Sequence, residues 1–444
     1  MLVLSACAVD AQPNPAPTPT RTSFGDVPEP AAFARSAWGK DSFARGSASY
    51  MAVGSTLEHR ESLGVPLLQR VFFAGEATSV DNAGTVLGAR LSGAAVAADV
   101  ADVGAAGEKI AVIGAGAAGA EAARELTRAG FDVVVIEARK RVGGRIDTVT
   151  DKKWPFPVEL GAWRLAGADA ELVSALDGLE ISTQQLDGAV YRSPTGEGDA
   201  DPVSGPAVDT ALAWAQMQAK DASVETSLDR SGAAAAAADS GPEELEGGEL
   251  LAQHLAALAT VYGADADHLS SWFTAADALP STVVTGGFDA FVVDTLDDIE
   301  TFLSTTVVGV AYNDNRVSLR FGTGESLAVD RVVVTVPLGV LQQESIEFDP
   351  LLPFEHRTAI AALGMGTIDT VWLRFDEPFW TTDAVLWNLV GTDDEITTWY
   401  NLEPVTGEAV LVGVVGGAAA ERTELLSDDE LRAAVLATLA PFAA

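Results

Sequence analysis

Between Glu108 and Arg139 the hydrophobic pattern changes period twice: EKIAVIGAGAAGAEAARELTRAGFDVVVIEAR. Residues 110–113 form a continuous apolar run, as expected of a strand buried on both faces. Six small residues follow, and then Ala123, Leu126 and Ala129 recur at helical spacing until Gly130. A second apolar run, 133–136, ends at Glu137. The pattern predicts two parallel strands joined by a helix. A second strand–turn–helix lies upstream. There the apolar run from Val71 enters FFAGEATS (72–79), and a small-residue helix pattern occupies 84–98. A helix packed on a sheet runs back toward the edge where its strand began. The linker 97–108 therefore need only complete a crossover into the strand at 110. Both strands are expected in one sheet, with their glycine turns holding one cofactor from two sides.

Elsewhere the pattern is plainer. Residues 168–282 read as helical and Ala-rich, with a low-complexity stretch at 231–249 expected to be a mobile surface segment. TGGFDAFVVDTL (285–296) reads as a turn into a helix, and 307–313, 317–321 and 330–337 as a short meander. Strand pieces follow at 370–375 and 409–415. The last helix, 427–440, is capped by Ser427 with Glu430 three residues on.

The first unit carries chemistry. Gly114 permits a tight turn, Ala115 follows it, Gly116 lets backbone approach a pyrophosphate, and Gly119 lets helix and strand pack closely. The helix N-terminus offers unpaired N–H groups and a positive dipole end to phosphate. Glu137 lies 18 residues past Gly119, where a carboxylate that binds a ribose diol is expected. The loop RKRVGGRIDT (139–148) suits a wrap around a phosphate-bearing cofactor, with Arg139, Gly144 and Arg145 as candidates and Arg145 as charge partner. Gly161 and Ala162 in VELGAWRLAG supply another close-approach turn.

Composition narrows the function. The chain has 444 residues, 48% of them hydrophobic, enough for a sizeable core. A net charge of −37 argues against nucleic acid and favours cationic small molecules, or else reflects solubility or a saline habitat. With Cys7 the one cysteine, an internal disulfide, a Cys-based zinc site and a catalytic thiol in the globular part are all excluded. The four histidines show no metal-ligand spacing, and Asp265 and Asp267 sit in a loop that lacks the later positions of a calcium site. Leu4-Ser5-Ala6 before Cys7 is like the end of a bacterial lipoprotein signal, followed by a Pro/Thr-rich tether, although the basic start and apolar core of a signal are missing. This leaves an extracytoplasmic lipoprotein anchored at Cys7 and a cytoplasmic protein as the two locations.

Taken together, GAGAAG with Glu137, VGGR, LGAW, the GGF turn, DRVVVTVPLGVL, LGMGTIDTVWLRF and RVFFAGEATS with GTVLGA resemble the flavin-containing amine oxidases, the monoamine and polyamine oxidases and their relatives. The resemblance implies an α/β fold of the two-dinucleotide-binding-domain type: a Rossmann-like FAD-binding domain over 31–180 and 283–345, and an α+β substrate domain over 181–282 and 346–444, with 1–30 as signal remnant and linker. It implies non-covalent FAD, since ARGSASY has no cysteine. It adds Gly75, Glu76, Thr85 and Val307 to the cofactor contacts, with Glu76 near the ribityl-phosphate portion and Thr85 at the flavin ring. It implies a small-molecule amine and O2 as reactants, with hydride transfer to flavin N5 and hydrogen peroxide as a product. Two departures stand out. Thr370 occupies the place of a lysine that many relatives keep after the GMG turn, and Ala48 that of an aromatic residue of the amine cage. Thr370 and Tyr50 are the catalytic candidates, and Trp399, Tyr400 and Phe288 the candidate walls. A desaturase or porphyrinogen oxidase on the same fold, or an inactive flavin-binding relic, is the alternative. In such relatives the WGKDSFARGSASY and FFAGEATS segments close the chain, whereas here they open it. The order looks like a circular permutation, with gene fusion or an assembly artefact as the competing explanation.

Overall fold

The computed structural model describes residues 27–165, 170–194, 196–242, 245–276 and 282–443. The lipoprotein-like start and its tether lie outside them. Five parallel strands form the central sheet of one lobe, in the order Glu300–Phe302, Asp132–Ile136, Lys109–Ile113, Arg331–Val334, Val71–Phe73. The inner strands are apolar throughout because both faces are covered. Phe72, Ile110, Val112, Val133 and Val135 pack under the helices Val86–Val103 and Ala117–Arg128. Val71, Phe73, Ala111, Ile113 and Val134 face the opposite layer with Val310, Leu319 and Phe348. The two helices approach closely because their contact is made of small residues. A Cβ on Gly93 would lie 2.3 Å from the Ala118 carbonyl oxygen.

Both strand–turn–helix units therefore join one sheet, with Arg331–Val334 between their strands. The expected meander is instead split. Val307–Tyr312, Val317–Phe321 and Ser326–Val329 form a four-stranded sheet with Glu347–Asp349, and the chain then crosses into the parallel sheet.

The second lobe is built on a seven-stranded sheet in the order Ala32–Arg35, Ile368–Arg374, Val410–Gly416, Thr398–Asn401, Leu386–Leu389, Ala189–Arg192, Glu197–Gly198. Helices Ser204–Gln216, Val224–Ser231, Ala233–Ala238 and Gly247–Tyr262 pack beside it. The low-complexity stretch expected to be mobile is thus helical over Ala233–Ala238 and from Gly247 onward. Six consecutive alanines, the strongest helix formers, make a helix whose Ala233 and Ala237 are buried. Two expected domain boundaries also move. Ala32–Arg35 pairs with Ile368–Arg374 rather than with the cofactor sheet. Phe348, Ala359 and Ile360 belong to the cofactor lobe's core, because Glu347–Asp349 extends its four-stranded sheet and the helix Phe354–Ala362 packs on Leu57–Gly64. No helix among the described residues is long and apolar enough to cross a membrane.

A buried carboxyl pair fastens the N-terminal segment to this sheet. Asp369 Oδ1 accepts hydrogen bonds from Ser36 Oγ at 2.7 Å and Trp38 N at 3.0 Å, and Glu424 Oε1 accepts one from Gly39 N at 2.7 Å. Asp369 Oδ2 is buried with no donor, so it is satisfied only when the Asp369 carboxyl carries a proton. Burial, reinforced by Glu424, holds this carboxyl well above its ordinary range, against the opposing bonds from Ser36 and Trp38. Burial likewise pushes Glu159 up to about 7, against its bonds from Thr148, Phe288 and Gly287. An acid whose pKa is raised in the fold contributes stability that is complete below its unfolded pKa, near 4, and is lost as pH rises through the folded value. Asp369→Asn keeps the acceptor for Ser36 and Trp38 without the titration. Urea unfolding at about pH 4.5 and about pH 7.5 is expected to show a smaller loss of stability in the variant, by at least about 1 kcal/mol, since one pKa unit corresponds to about 1.4 kcal/mol. Equal losses in the two proteins would refute the assignment.

Candidate cofactor and substrate site

A cavity of about 500 Å³ lies between the lobes, and both glycine turns open onto it. At one end Gly114, with φ 108°, turns the chain out of its strand, and a Cβ there would meet Thr335 Oγ1 at 2.7 Å. A Cβ on Gly119 would lie 2.0 Å from the Gly114 oxygen, so this glycine serves packing and does not reach the cavity. Gly116 differs, because its Cβ would meet no protein atom closer than 3.8 Å and would stand in the cavity itself. The first N–H groups of the helix Ala117–Arg128 have no intrahelical acceptor and border the same space. Glu137 is buried at the end of its strand. Its Oε2 accepts from Ala115 N at 2.8 Å and its Oε1 from Arg139 N at 2.7 Å, which fixes the carboxylate with further lone pairs free. Ala115 thus acts through Glu137 and does not line the cavity. This cradle of backbone, dipole and carboxylate fits a dinucleotide diphosphate and ribose. Arg139, Gly144, Gly161, Ala162 and Val307 also line the cavity. Arg139 is held by Asp41 at 2.6 Å and lies 5.5 Å from the Phe43 ring centre.

The upstream turn meets this cradle through charge. Arg145 Nη1 donates to Glu76 Oε1 at 2.9 Å and to the Ser47 carbonyl at 2.8 Å. Glu76 also accepts from Ser49 Oγ at 2.6 Å and Gly84 N at 2.8 Å. Arg60, 1% exposed, donates to Ser49 Oγ at 2.8 Å and to the Ala77 carbonyl at 2.9 Å. Burial alone would raise the Glu76 pKa, but Arg145, Ser49 and Arg60 outweigh it and hold the carboxyl below its ordinary value. Arg145, expected as a charge partner for phosphate, lines the cavity and spends its Nη1 on Glu76 and Ser47. Gly75, Glu76 and Thr85 all border the cavity with Gly116. Thr85 caps the helix Val86–Val103, accepting from Gly88 N at 3.0 Å.

The far end is walled by Ala48, Trp163, Arg164, Tyr262, Ile368 and Thr370. Thr370 Oγ1 accepts from Trp372 Nε1 at 3.3 Å, and the Trp163 ring stands edge-on to Trp372 at 5.5 Å and to Tyr400 at 5.1 Å.

The three expected wall residues and Tyr50 do not line the cavity. Strand alternation sends Trp399 to the opposite face of the seven-stranded sheet, where it is fully buried and its Nε1 donates to Thr438 Oγ1 at 3.1 Å. Tyr400 is on the cavity side but lies beneath Trp163, with its hydroxyl accepting from Arg164 Nη1 at 3.2 Å. Phe288 is fully buried in the cofactor lobe's core, its N–H bonded to Glu159 Oε1 at 2.9 Å. Tyr50 covers Gly364, where a Cβ would come within 2.2 Å of its ring, and packs toward the helical layer. Sequence reasoning passed over Trp163 and Arg164 inside the quoted LGAWR, and Tyr262 at a helix end. An arginine next to an apolar run in so acidic a chain was the available signal for Arg164.

The sheet, the glycine cradle and the two-ended cavity define a dinucleotide-binding flavoprotein. The chain belongs to the flavin containing amine oxidoreductase family, whose model matches residues 20–101 and 117–444. FAD is the cofactor of this family and of this site. Among relatives, the chain is 29% identical to probable polyamine oxidase 4 of Arabidopsis thaliana over 72% of this chain and 68% of that one. It is 30% identical to polyamine oxidase 5 of Oryza sativa subsp. japonica over 72% and 69%. Among solved structures, putrescine oxidase bound to putrescine aligns with TM-score 0.59 at 23% identity, over 76% of this chain and 81% of that one. Cyclohexylamine oxidase from Brevibacterium oxydans IH-35A aligns with TM-score 0.58 at 20% identity, over 75% and 82%.

Two glycine variants separate cofactor binding from folding. Gly116→Val places its side chain in open cavity, so the protein is expected to fold with near-normal stability and lose FAD affinity at least tenfold, read by flavin titration. Gly119→Ala forces a 2.0 Å contact, and its thermal unfolding is expected to show destabilisation of about 2–3 kcal/mol.

Proposed function

We propose that the protein oxidises an amine to an imine that water hydrolyses: amine, O2 and H2O give a carbonyl compound, ammonia and H2O2. The observation that carries this reading is the single cavity shared by the GAGAAG and GEATS turns, closed at its far end by Trp163, Tyr262, Ile368 and Thr370. Bound FAD supplies the acceptor for a hydride from the carbon beside the nitrogen, and the route of both electrons to O2.

The chain's own groups prepare the amine. Trp163, Val261, Tyr262 and Ile368 exclude water, and desolvation lowers an ammonium pKa and favours the neutral, oxidisable form. No histidine, cysteine or lysine is among the described residues that line the cavity, and its two carboxylates, Glu76 and Glu137, are engaged by hydrogen bonds, so the ammonium proton leaves to solvent. The helix beginning at Thr85 turns its N-terminus to the cavity, where its dipole favours negative charge. Thr370, its oxygen already accepting from Trp372, offers one hydroxyl proton to the cavity and no positive charge. Slow reoxidation by oxygen follows from that substitution. The permuted order of segments belongs to the same proposal. Its support is the seating of Val71–Phe73 in the parallel sheet and of Ala48–Tyr50 against Gly364–Gly366.

Purified yellow protein mixed anaerobically with its amine is expected to lose oxidised-flavin absorbance, whereas a protein inert to every amine would contradict the proposal. Thr370→Lys is expected to speed reoxidation by O2 about tenfold in stopped-flow absorbance, and an unchanged rate would remove Thr370 from the account.

A further inference from the structure

The described residues that line the cavity include six with charged side chains: Arg45, Glu76, Glu137, Arg139, Arg145 and Arg164. Most are committed. Arg145 pairs with Glu76 at 2.9 Å, Arg139 pairs with Asp41 at 2.6 Å, Glu137 takes two backbone N–H groups, and Arg45 is exposed to solvent. Arg164 differs. Its Nη1 donates to Thr260 Oγ1 at 3.3 Å and Tyr400 Oη at 3.2 Å, and its Nη2 to the Thr260 carbonyl. All three acceptors are neutral, and no carboxylate among the described residues pairs with it. Of five guanidinium donors, Nε–H and one Nη2–H are left, side by side, in the geometry that grips a carboxylate through both oxygens.

Its location is the far end of the cavity. Trp163, the preceding residue, contacts Trp372, which donates to Thr370. Thr260, its main anchor, leads into Val261 and Tyr262, both on the cavity wall. Those three contacts hold the guanidinium in place before any ligand arrives.

We infer that the amine taken by this site carries a carboxylate beside its amino group, and that Arg164 binds that carboxylate. The substrate class is an amino acid with an uncharged, apolar side chain suited to Trp163, Val261 and Tyr262. This rests on the amine-oxidation reading above and adds the substrate to it. The second ammonium of a diamine would meet a like charge at Arg164, with both cavity carboxylates already engaged near the cofactor cradle. The chain's net charge of −37 favours cations at the outer surface, but salt screens that field over about 8–10 Å, so inside the cavity the nearest charge decides. The reaction is balanced as amino acid, O2 and H2O giving 2-oxo acid, NH3 and H2O2. The Cα–H leaves as hydride to bound FAD, and the N–H proton goes to solvent.

The test uses FAD-loaded protein and two readouts. In anaerobic flavin bleaching, leucine (either enantiomer) is expected to act at concentrations at least tenfold lower than 3-methylbutylamine, its decarboxylated counterpart, or putrescine. Arg164→Met is expected to abolish that advantage and Arg164→Lys to retain part of it, with flavin content confirming that both fold. In the second readout, benzoate is expected to perturb the flavin spectrum of the wild type, to bind at least tenfold more weakly to Arg164→Met, and to outcompete neutral benzamide. If 3-methylbutylamine or putrescine bleaches as well as leucine, or benzoate binding ignores Arg164, the inference is overturned. If no amine bleaches the flavin while benzoate still binds through Arg164, the oxidase reading falls and the carboxylate site stands.

Discussion

The ion pair between Arg145 and Glu76 is the constraint on which the rest of this molecule depends. It joins residues 69 positions apart in sequence, one from each glycine turn, at the place where the cofactor must be held. Glu76 is almost fully buried, so its charge is tolerable only because Arg145, Ser49 and the Gly84 N–H surround it, with Arg60 behind Ser49. Removing one partner of such a pair costs about 3–5 kcal/mol because the other is left buried and uncompensated. The network thereby fixes the spacing between the two turns, and with it the width of the cavity.

From that fixed point the two lobes divide the work. The parallel sheet presents a helix N-terminus, an open glycine and an oriented carboxylate, groups that suit a diphosphate and a ribose and have little use otherwise. The seven-stranded sheet contributes a dry wall of Trp163, Tyr262 and Ile368 around Thr370. Carboxylates dominate the chain as a whole, yet at the far end of the cavity the uncommitted charge is a guanidinium. Outer field and inner site thus have opposite sign, because the field of the surface carboxylates is screened by salt over about 8–10 Å.

The glycine turns, the strands that feed them, the capped last helix and Glu137 were legible because each is set by local sequence: period, turn geometry and capping act over a few residues. The aromatic walls were not. Trp399 and Tyr400 are neighbours in sequence, and strand pairing sends them to opposite faces, one into a remote core and the other beneath Trp163. The run of alanines at 233–238 was misread because low complexity says nothing about whether a helix finds a surface to pack on.

By itself the sequence determined the two strand–turn–helix units, the glycines with their separate duties and the cofactor class, because backbone conformation and close approach are properties of residue type at short range. Tertiary structure alone decided that Arg145 pairs with Glu76, that Asp369 is buried with one carboxyl oxygen lacking a donor, and that Arg164 lines the cavity with no counter-charge among the described residues. Charge pairing depends on distances of a few ångströms between segments far apart in the chain, and only the packed fold sets those distances.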